Sequence, residues 1–329
     1  MMGPMTDAQP WVLVVGEALV DVVPDRDGRP QDLPGGSPAN VAITLGRLGR
    51  DVRLVTVLGE DARGELVRSW LEASGVTVLA QRPGSGRTSS AAVTLDASGA
   101  ATYAFDLAWD LTEVPPEDCD VLHVGSIATV LEPGADVVLD AVRARHGRTL
   151  VSLDPNARPA LTPDRSAVVA RVEELVGLAD VVKVSDEDLE WLHPEDDPVE
   201  TATRWARHGP GLVVVTRGGD GAVAVRPDGT TLDVPGVPVL VADTVGAGDT
   251  FSGVLIDTLL TLGVGGATGA EALRALTDRD VLEAVSTAAI GAAITVSRPG
   301  ADPPHRAELT AVVGGPAPRT EAGPGSGEK

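Results

Sequence analysis

The chain has 329 residues, 43% of them hydrophobic, which suits one large α/β domain or two modest ones with a substantial core. A formal net charge of -22 without any basic cluster argues against nucleic acid and anionic membranes as partners. A single cysteine, Cys119, excludes an internal disulfide framework; with no apolar signal core in Met1–Pro10 and no bilayer-length apolar run, a cytoplasmic location is expected.

Aromatics are 2% of the chain, so Val, Leu and Ala must build most of the core. Val12–Val15 reads as a buried strand. Leu19–Val23 runs into the turn-rich Pro24-Asp25-Arg26-Asp27-Gly28 and returns near Leu33, breaking a β/α rhythm. Ser37 reads as an N-cap with Pro38 at the first helical position; Val41, Leu45 and Leu48 follow at helical spacing, and Gly49 ends the helix. Val52–Val57 is the next strand, and Leu66, Trp70 and Ala73 mark another helix. Ala91–Leu95 and Thr102–Phe105, around Asp96-Ala97-Ser98-Gly99, read as a hairpin on which Val93, Leu95, Tyr103 and Phe105 share one face. Such a small sheet does not stand alone. With Trp109 nearby it is either a minor core or a lid over a ligand. Val121–Val124, Leu150–Leu153, Val181–Val184 and Leu212–Val215 are later strands; separated by helices, they predict a mostly parallel sheet covered on both faces. Residues 314–329, rich in Gly, Pro and Ala, read as a disordered tail.

The strongest local signal is Asp243-Thr244-Val245-Gly246-Ala247-Gly248-Asp249-Thr250-Phe251. Its glycines let the backbone turn tightly into a helix whose N-terminus stabilises an anion, such as the charge on a phosphoryl group in transfer. Asp249, in the first turn, is then placed to take a proton from an attacking hydroxyl. A Gly-x-Gly-Asp alone would suit an ordinary loop; the full nine-residue string favours function. A P-loop and a protein-kinase motif set are both missing. Gly16-Glu17-Ala18-Leu19-Val20-Asp21 lacks the second and third glycines of a dinucleotide fingerprint, which weakens a nicotinamide-dependent reductase.

A second signal is Gly35-Gly36-Ser37-Pro38-Ala39-Asn40. Gly36 permits close approach of a ligand, and Asn40 offers both donor and acceptor to a polyol, although a tight turn and cap would look the same. Asp21, read as ending the first strand, can accept two sugar hydroxyls. Arg158, after the Leu150 strand, is placed to neutralise phosphate, because ligands of open parallel sheets lie outside the carboxyl ends of strands. Lys183-Val184-Ser185-Asp186-Glu187-Asp188 opens a helix with a cap-like Ser185; its acids either hold hydrated Mg²⁺ or complement the helix dipole. Thr216-Arg217-Gly218-Gly219-Asp220-Gly221 suits a nucleotide contact or a glycine-rich hairpin turn.

Together these residues resemble the ribokinase-like (PfkB-type) carbohydrate kinases, from Gly16 to about Pro304 and in the family order. Within that family the Gly16–Asp21, Gly35–Asn40 and Asp154-Pro155-Asn156 strings look most like bacterial fructokinases, and so do Lys183–Glu187 and Arg298–Pro304. The resemblance implies an α/β fold, a Rossmann-like three-layer sandwich of the ribokinase type with a small β-sheet lid. Residues 10–313 would form the kinase domain, with the lid from about 20–34 and 90–109. It implies Asp249 as catalytic base with Gly246, Ala247 and Gly248 as anion hole. Asp21, Gly35, Gly36, Asn40 and Phe105 would lie at the sugar, with Arg158 near sugar or phosphate. Ser185, Thr216, Gly218 and Gly221 would line the ATP site, with Ala288 and Ala292 near adenine. Mg²⁺ would be reached through water from Asp188, and K⁺ would sit by Asp243 and the Val245 carbonyl. The implied partners are ATP and a small sugar, foremost D-fructose, with 2-keto-3-deoxygluconate and ribose as alternatives, and a homodimer through the lid. A non-catalytic sugar-binding protein on the same fold is the rival from another class. Two departures stand out: the family's Asn-x-x-Glu becomes Ser185 to Asp188, and Leu107-Ala108-Trp109-Asp110 is not the usual lid sequence.

Overall fold

The computed structural model describes residues 10–24, 27–95, 101–162 and 164–314, without the side chains of 93–95 and 101–104. The expected turn at 96–99, the shared apolar face of Val93, Leu95 and Tyr103, and the expected tail after Gly314 therefore lie outside the described residues.

The first half of the chain runs β1 (Trp11–Val15), β2 (Leu19–Pro24), β3 (Pro30–Gly35), α1 (Ser37–Arg47), β4 (Asp51–Val57), α2 (Ala62–Glu72), β5 (Val76–Gln81), β6 (Ser90–Leu95) and β7 (Ala101–Asp106). The β/α alternation then continues with β8 (Val121–Gly125), α3 (Gly134–Arg145), β9 (Leu150–Asp154), α4 (Arg165–Leu178), β10 (Val181–Ser185), α5 (Asp186–Leu192), α6 (Pro198–Ala206) and β11 (Leu212–Thr216). A hairpin, β12 (Ala222–Val225) and β13 (Thr231–Val234), precedes four helices: α7 (Ala247–Thr261), α8 (Gly269–Ala275), α9 (Asp278–Val296) and α10 (Arg306–Val313).

Among the described residues nine strands form one sheet, in the order β13-β12-β11-β10-β9-β8-β1-β4-β5. It is parallel from β5 to β11, and β12 and β13 join antiparallel. The strands are near-continuous aliphatic runs because both faces are covered. Val12 and Val14 of β1 pack with Ile43 and Leu45 of α1 and Val254 and Leu255 of α7, while Leu13 and Val15 face Val138 and Val142 of α3 and Val172 of α4. This is the three-layer α/β sandwich expected. Burying each such side chain contributes roughly 1.5–3 kcal/mol, and truncating Leu122, which is 0% exposed, to Ala would cost about 2–5 kcal/mol. Among the described residues no single helix is long and apolar enough to cross a membrane.

The two stretches that break the β/α rhythm form a second sheet, ordered β3-β2-β6-β7. β2 pairs antiparallel with β3 and parallel with β6, so the two ribbons support each other. Arg63 of α2 grips Asp32 of β3 with two hydrogen bonds of 2.8 and 3.0 Å, tying this sheet to the body.

Two local expectations need correction. Gly36, at φ 113, is the N-cap of α1; Ser37 is the first helical residue and caps nothing with its side chain. Asp21 does not end the first strand but lies within β2, opposite Leu33 and Ala91 of the second sheet. The helix expected from Leu66, Trp70 and Ala73 is α2; its buried positions are Gly64, Val67 and Leu71, whereas Leu66 and Ala73 face outward.

Candidate functional site

The carboxyl ends of β9 and β10 meet the N-termini of α1 and α7. The turn before α7 places Gly246 in the left-handed region at φ 76, and a Cβ there would stand 2.6 Å from the Cβ of Ala301. As at every helix start, the first N–H groups have no partner from the preceding turn. Those of Ala247 and Thr250 reach Thr244 and Gly246 carbonyls at 3.3 and 2.8 Å; those of Gly248 and Asp249 find no backbone acceptor among the described residues. α7 is buried on every side rather than along one stripe, because α1 and α9 flank it: Thr44 packs where Gly253 has no side chain, and Val254 packs against Gly291.

Asp249, the third residue of α7, is 7% exposed. Its Oδ1 accepts from Ser37 Oγ at 2.7 Å and its Oδ2 from Asn40 Nδ2 at 2.7 Å. Asn156 Nδ2 lies 2.7 Å from Ser37 Oγ and 3.4 Å from Asp249 Oδ1. Burial pushes the Asp249 carboxyl above the usual aspartate range, against the pull of the Ser37 and Asn40 hydrogen bonds; nearby Asp154 adds to the rise and Lys183 opposes it. Asn40 Oδ1 is buried and has no hydrogen-bond partner among the described residues, so an acceptor stands ready beside Asp249.

Beside this group Lys183 Nζ donates to Asp154 Oδ2 at 3.0 Å, and Ser252 Oγ reaches the same oxygen at 3.1 Å. Asp188 Oδ1 accepts the Ala157 N–H at 3.0 Å, and Ser185 caps α5 by accepting the Asp188 N–H at 3.0 Å. Burial raises the Asp188 carboxyl.

Asp21 lies against Gly35: a Cβ on that glycine would be 2.4 Å from Asp21 Oδ2. Burial raises the Asp21 pKa and the Arg158 guanidinium lowers it. Arg158 is exposed, donates at 3.2 Å to the carbonyl of Ala157, and also draws down Glu17 and Asp188, so three carboxyl groups share its field. Gly36 packs on the Glu17 carbonyl, leaving no room for a side chain. Phe105 stands at the surface, 38% exposed.

Thr216 ends β11, and Gly218–Asp220 makes a short helical turn into β12. Gly218 and Gly221 have φ 51 and 96, and a Cβ on Gly221 would meet the Val234 carbonyl at 2.1 Å. The glycine string is thus a hairpin turn at a strand end. Ala292 is half-buried, but Ala288 is wholly enclosed in the core, so of the two expected adenine neighbours it presents no surface. Asp243 accepts the N–H of Val245 at 3.0 Å and of Gly300 at 2.8 Å, which holds its carboxyl below the usual range. The same segment exposes Val239, Leu240, Val241 and Val245, with Leu240 92% exposed.

The structure thus gathers Asn40, Gly246, Ala247, Gly248 and Asp249 at one point. It adds Ser37, Asn156, Asp154 and Lys183, none of them singled out as site residues from the sequence. One signal was available for Lys183: it is one of two lysines in the chain and lies in an aliphatic strand.

Comparison with known proteins adds an independent line. The model of the pfkB family carbohydrate kinase matches residues 10–307. A fructokinase of Rhizobium leguminosarum bv. trifolii is 37% identical over 271 residues, covering 76% of this chain and 81% of that protein. The crystal structure of fructokinase from Xylella fastidiosa with bound ATP superposes with a TM-score of 0.82 at 26% identity, covering 93% of this chain and 99% of that one. A double mutant of fructokinase from Vibrio cholerae O395, bound to fructose, ADP and a potassium ion, gives a TM-score of 0.78 at 28% identity, covering 94% and 100%.

Proposed function

The chain belongs to the pfkB family of carbohydrate kinases and is an ATP-dependent sugar kinase, and we propose that its sugar is D-fructose and its catalytic base Asp249. The observation that carries the base assignment is the pairing of Asp249 with Asn40 at the N-terminus of α7. A carboxylate, an amide oxygen without a partner and two N–H groups without a backbone acceptor, among the described residues, stand together there.

In this reading Asn40 Oδ1 and Asp21 accept sugar hydroxyls, and Gly35 and Gly36 let the sugar lie on the backbone. Asp249 takes the proton of the attacking hydroxyl, whose oxygen then bonds the γ-phosphorus as ADP leaves. The Gly248 and Asp249 N–H groups, with the turn through Gly246 and Ala247, stabilise the charge of the transferring phosphoryl. Arg158 moderates the carboxyl groups around it and approaches sugar or phosphate. Thr216, Gly218 and Gly221 line the nucleotide, with Ser185 behind them as a helix cap and Ala292 toward the base. Phe105 and the second sheet would close over the sugar and exclude water.

Among the described residues no cluster of three metal-binding side chains exists, which fits a Mg²⁺ held mainly by ATP phosphates and water. Asp188 would reach such an ion through water, and the ion would neutralise charge on the phosphates. Asp243 is kept ionised and each of its oxygens accepts one N–H, which leaves lone pairs for K⁺ beside the Val245 carbonyl. An acidic sugar such as 2-keto-3-deoxygluconate would need an uncommitted cation near the second sheet. Arg87 is engaged by Asp106 at 3.0 Å and Arg29 by Asp27 at 3.8 Å, and the charge of Arg158 is shared by Glu17, Asp21 and Asp188; the preference for fructose rests on the fructokinase relatives.

The test is ADP release from ATP, Mg²⁺ and K⁺ with fructose, ribose, 2-keto-3-deoxygluconate, glucose and tagatose. Fructose should give the highest kcat/KM, and Asp249→Ala should lower kcat by roughly a thousandfold or more. Because burial raises the Asp249 carboxyl, kcat should fall on the acid side at a pH above the usual aspartate range. Full activity in Asp249→Ala would sink the base assignment; a faster rate with another sugar would replace fructose.

A further inference from the structure

Ser37 begins α1 but does not cap it, so its hydroxyl is left for another partner. That partner is Asp249: Oγ donates to Oδ1 at 2.7 Å. The same Oγ accepts Asn156 Nδ2 at 2.7 Å, and Nδ2 also lies 3.4 Å from Oδ1. Ser37 and Asp249 are each 7% exposed.

The chemistry of the three groups fixes the direction of this chain. An ionised carboxylate only accepts, an amide nitrogen only donates, and a serine hydroxyl has one hydrogen. The hydroxyl hydrogen therefore points at Asp249 and a lone pair takes Asn156. Turning the Asn156 amide around would set its carbonyl oxygen against the Asp249 carboxylate. Asn156 is aimed by its backbone, which lies in the left-handed region at φ 39 just after β9. Asparagine tolerates that conformation better than most side-chain-bearing residues.

We propose that Ser37 and Asn156 are positioning residues for phosphoryl transfer. Oδ1 of Asp249 faces two donors, Ser37 Oγ and Asn156 Nδ2, whereas Oδ2 accepts only from Asn40 Nδ2 at 2.7 Å; the directed chain from Asn156 through Ser37 thus keeps Oδ1 as an acceptor, and the remaining lone pair of Oδ2 takes the proton. The inference rests on Asp249 being the base. The sugar O–H bond breaks and its proton goes to Oδ2. The freed electron pair on the hydroxyl oxygen forms the bond to the γ-phosphorus, whose bond to the bridging oxygen breaks to release ADP. The carboxylate plane does not rotate during this step because Oδ1 stays anchored.

Two substitutions separate this role from a structural one. Ser37→Ala deletes the hydroxyl. Asn156→Gly deletes the amide while easing the left-handed backbone. Both are read by kcat against pH in the full chain, and by carbon-13 titration of the Asp249 carboxyl in the ligand-free protein, assigned with Asp249→Asn. Ser37→Ala should lower kcat roughly tenfold to a hundredfold and move the acid limb and the carboxyl titration upward by about one pH unit. Asn156→Gly should move both in the same direction without loss of thermal stability. Ser37→Thr, which restores a hydroxyl, should recover most of kcat. An unmoved acid limb, or wild-type kcat in Ser37→Ala, overturns the proposal. If instead Asp249→Asn keeps full turnover, the base assignment falls, and the inference with it; the carboxyl titration then still reports whether the hydrogen-bonded chain exists.

Discussion

Lys183 in the middle of β10 and Asp154 at the end of β9 form a buried ion pair, Nζ to Oδ2 3.0 Å, with side chains 7% and 1% exposed. Burial opposes the lysine charge, yet the Asp154 carboxylate, helped by Asp188 and Asp249, holds the Lys183 pKa above its ordinary value. A pair of this kind adds little net stability over an apolar replacement, but breaking it strands a charge. Lys183→Met should therefore cost about 3–5 kcal/mol in urea unfolding at pH 7, and Lys183→Met combined with Asp154→Leu should cost less than the single change. A single-variant loss below about 1 kcal/mol would show that Asp154 finds other compensation.

That ammonium also bears on the proposed anion hole. A Cβ on Gly248 would stand 2.7 Å from Lys183 Nζ, and Lys183 is tethered to Asp154 and not free to swing away. Gly248→Ala should displace either the first turn of α7 or the lysine. Either shift misplaces the N–H groups, so kcat should fall at least about tenfold. Unchanged kcat would mean that the N–H groups of this turn do not touch the transferring group.

Gly35 answers to the sugar side in the same way. Its Cβ would lie 2.4 Å from Asp21 Oδ2, so Gly35→Ala must push the Asp21 carboxylate off its present position. The sugar KM should rise about tenfold or more while the ATP KM stays close to that of the parent chain. Equal rises in both would point to a general distortion of the second sheet instead.

The strands and the α7 turn were legible in the sequence because their signals are local. A run such as Val12–Val15 carries its burial in its own composition, and Gly246 announces a left-handed turn without help from distant residues. Ser37 shows where such reading stops. A serine before proline and a helix has the local signature of a cap, and only the arrival of Asp249, 212 positions later, explains why Gly36 caps the helix instead. Asn156 pairs with Ser37 across 119 positions; the Asp154-Pro155-Asn156 string marks its place after a strand but not its partner. The reading of Asp21 differs from the structure for a related reason: only Gly16, Glu17 and Ala18 separate β1 from Leu19, where a strand of the other sheet begins, and so short a break carries no mark of a change of sheet. In α2, Leu66 and Val67 are adjacent and similar, so hydrophobicity alone does not tell which one faces the core.

Glu17 offers a test in which stability, rather than turnover, is measured. It is 6% exposed, and burial lifts its pKa to about 7 against weaker opposing effects from the Arg158 charge and the Ala128 N–H. In the unfolded chain the carboxyl ionises near 4.5. Between those two values the folded state keeps a proton that the unfolded state has released, so its contribution is fully present below about pH 4.5 and is lost as pH rises through about 7. The loss amounts to at most roughly 3 kcal/mol. Glu17→Gln cannot ionise and keeps an oxygen for the Ala128 N–H, which lies 3.3 Å from the present Oε2. The variant should therefore gain on the parent chain steadily from about pH 4.5 to 7 and hold a constant lead above that range, read as the difference in unfolding free energy at each pH. A difference that does not vary with pH would show that Glu17 ionises normally in the folded protein, through water admitted beside it.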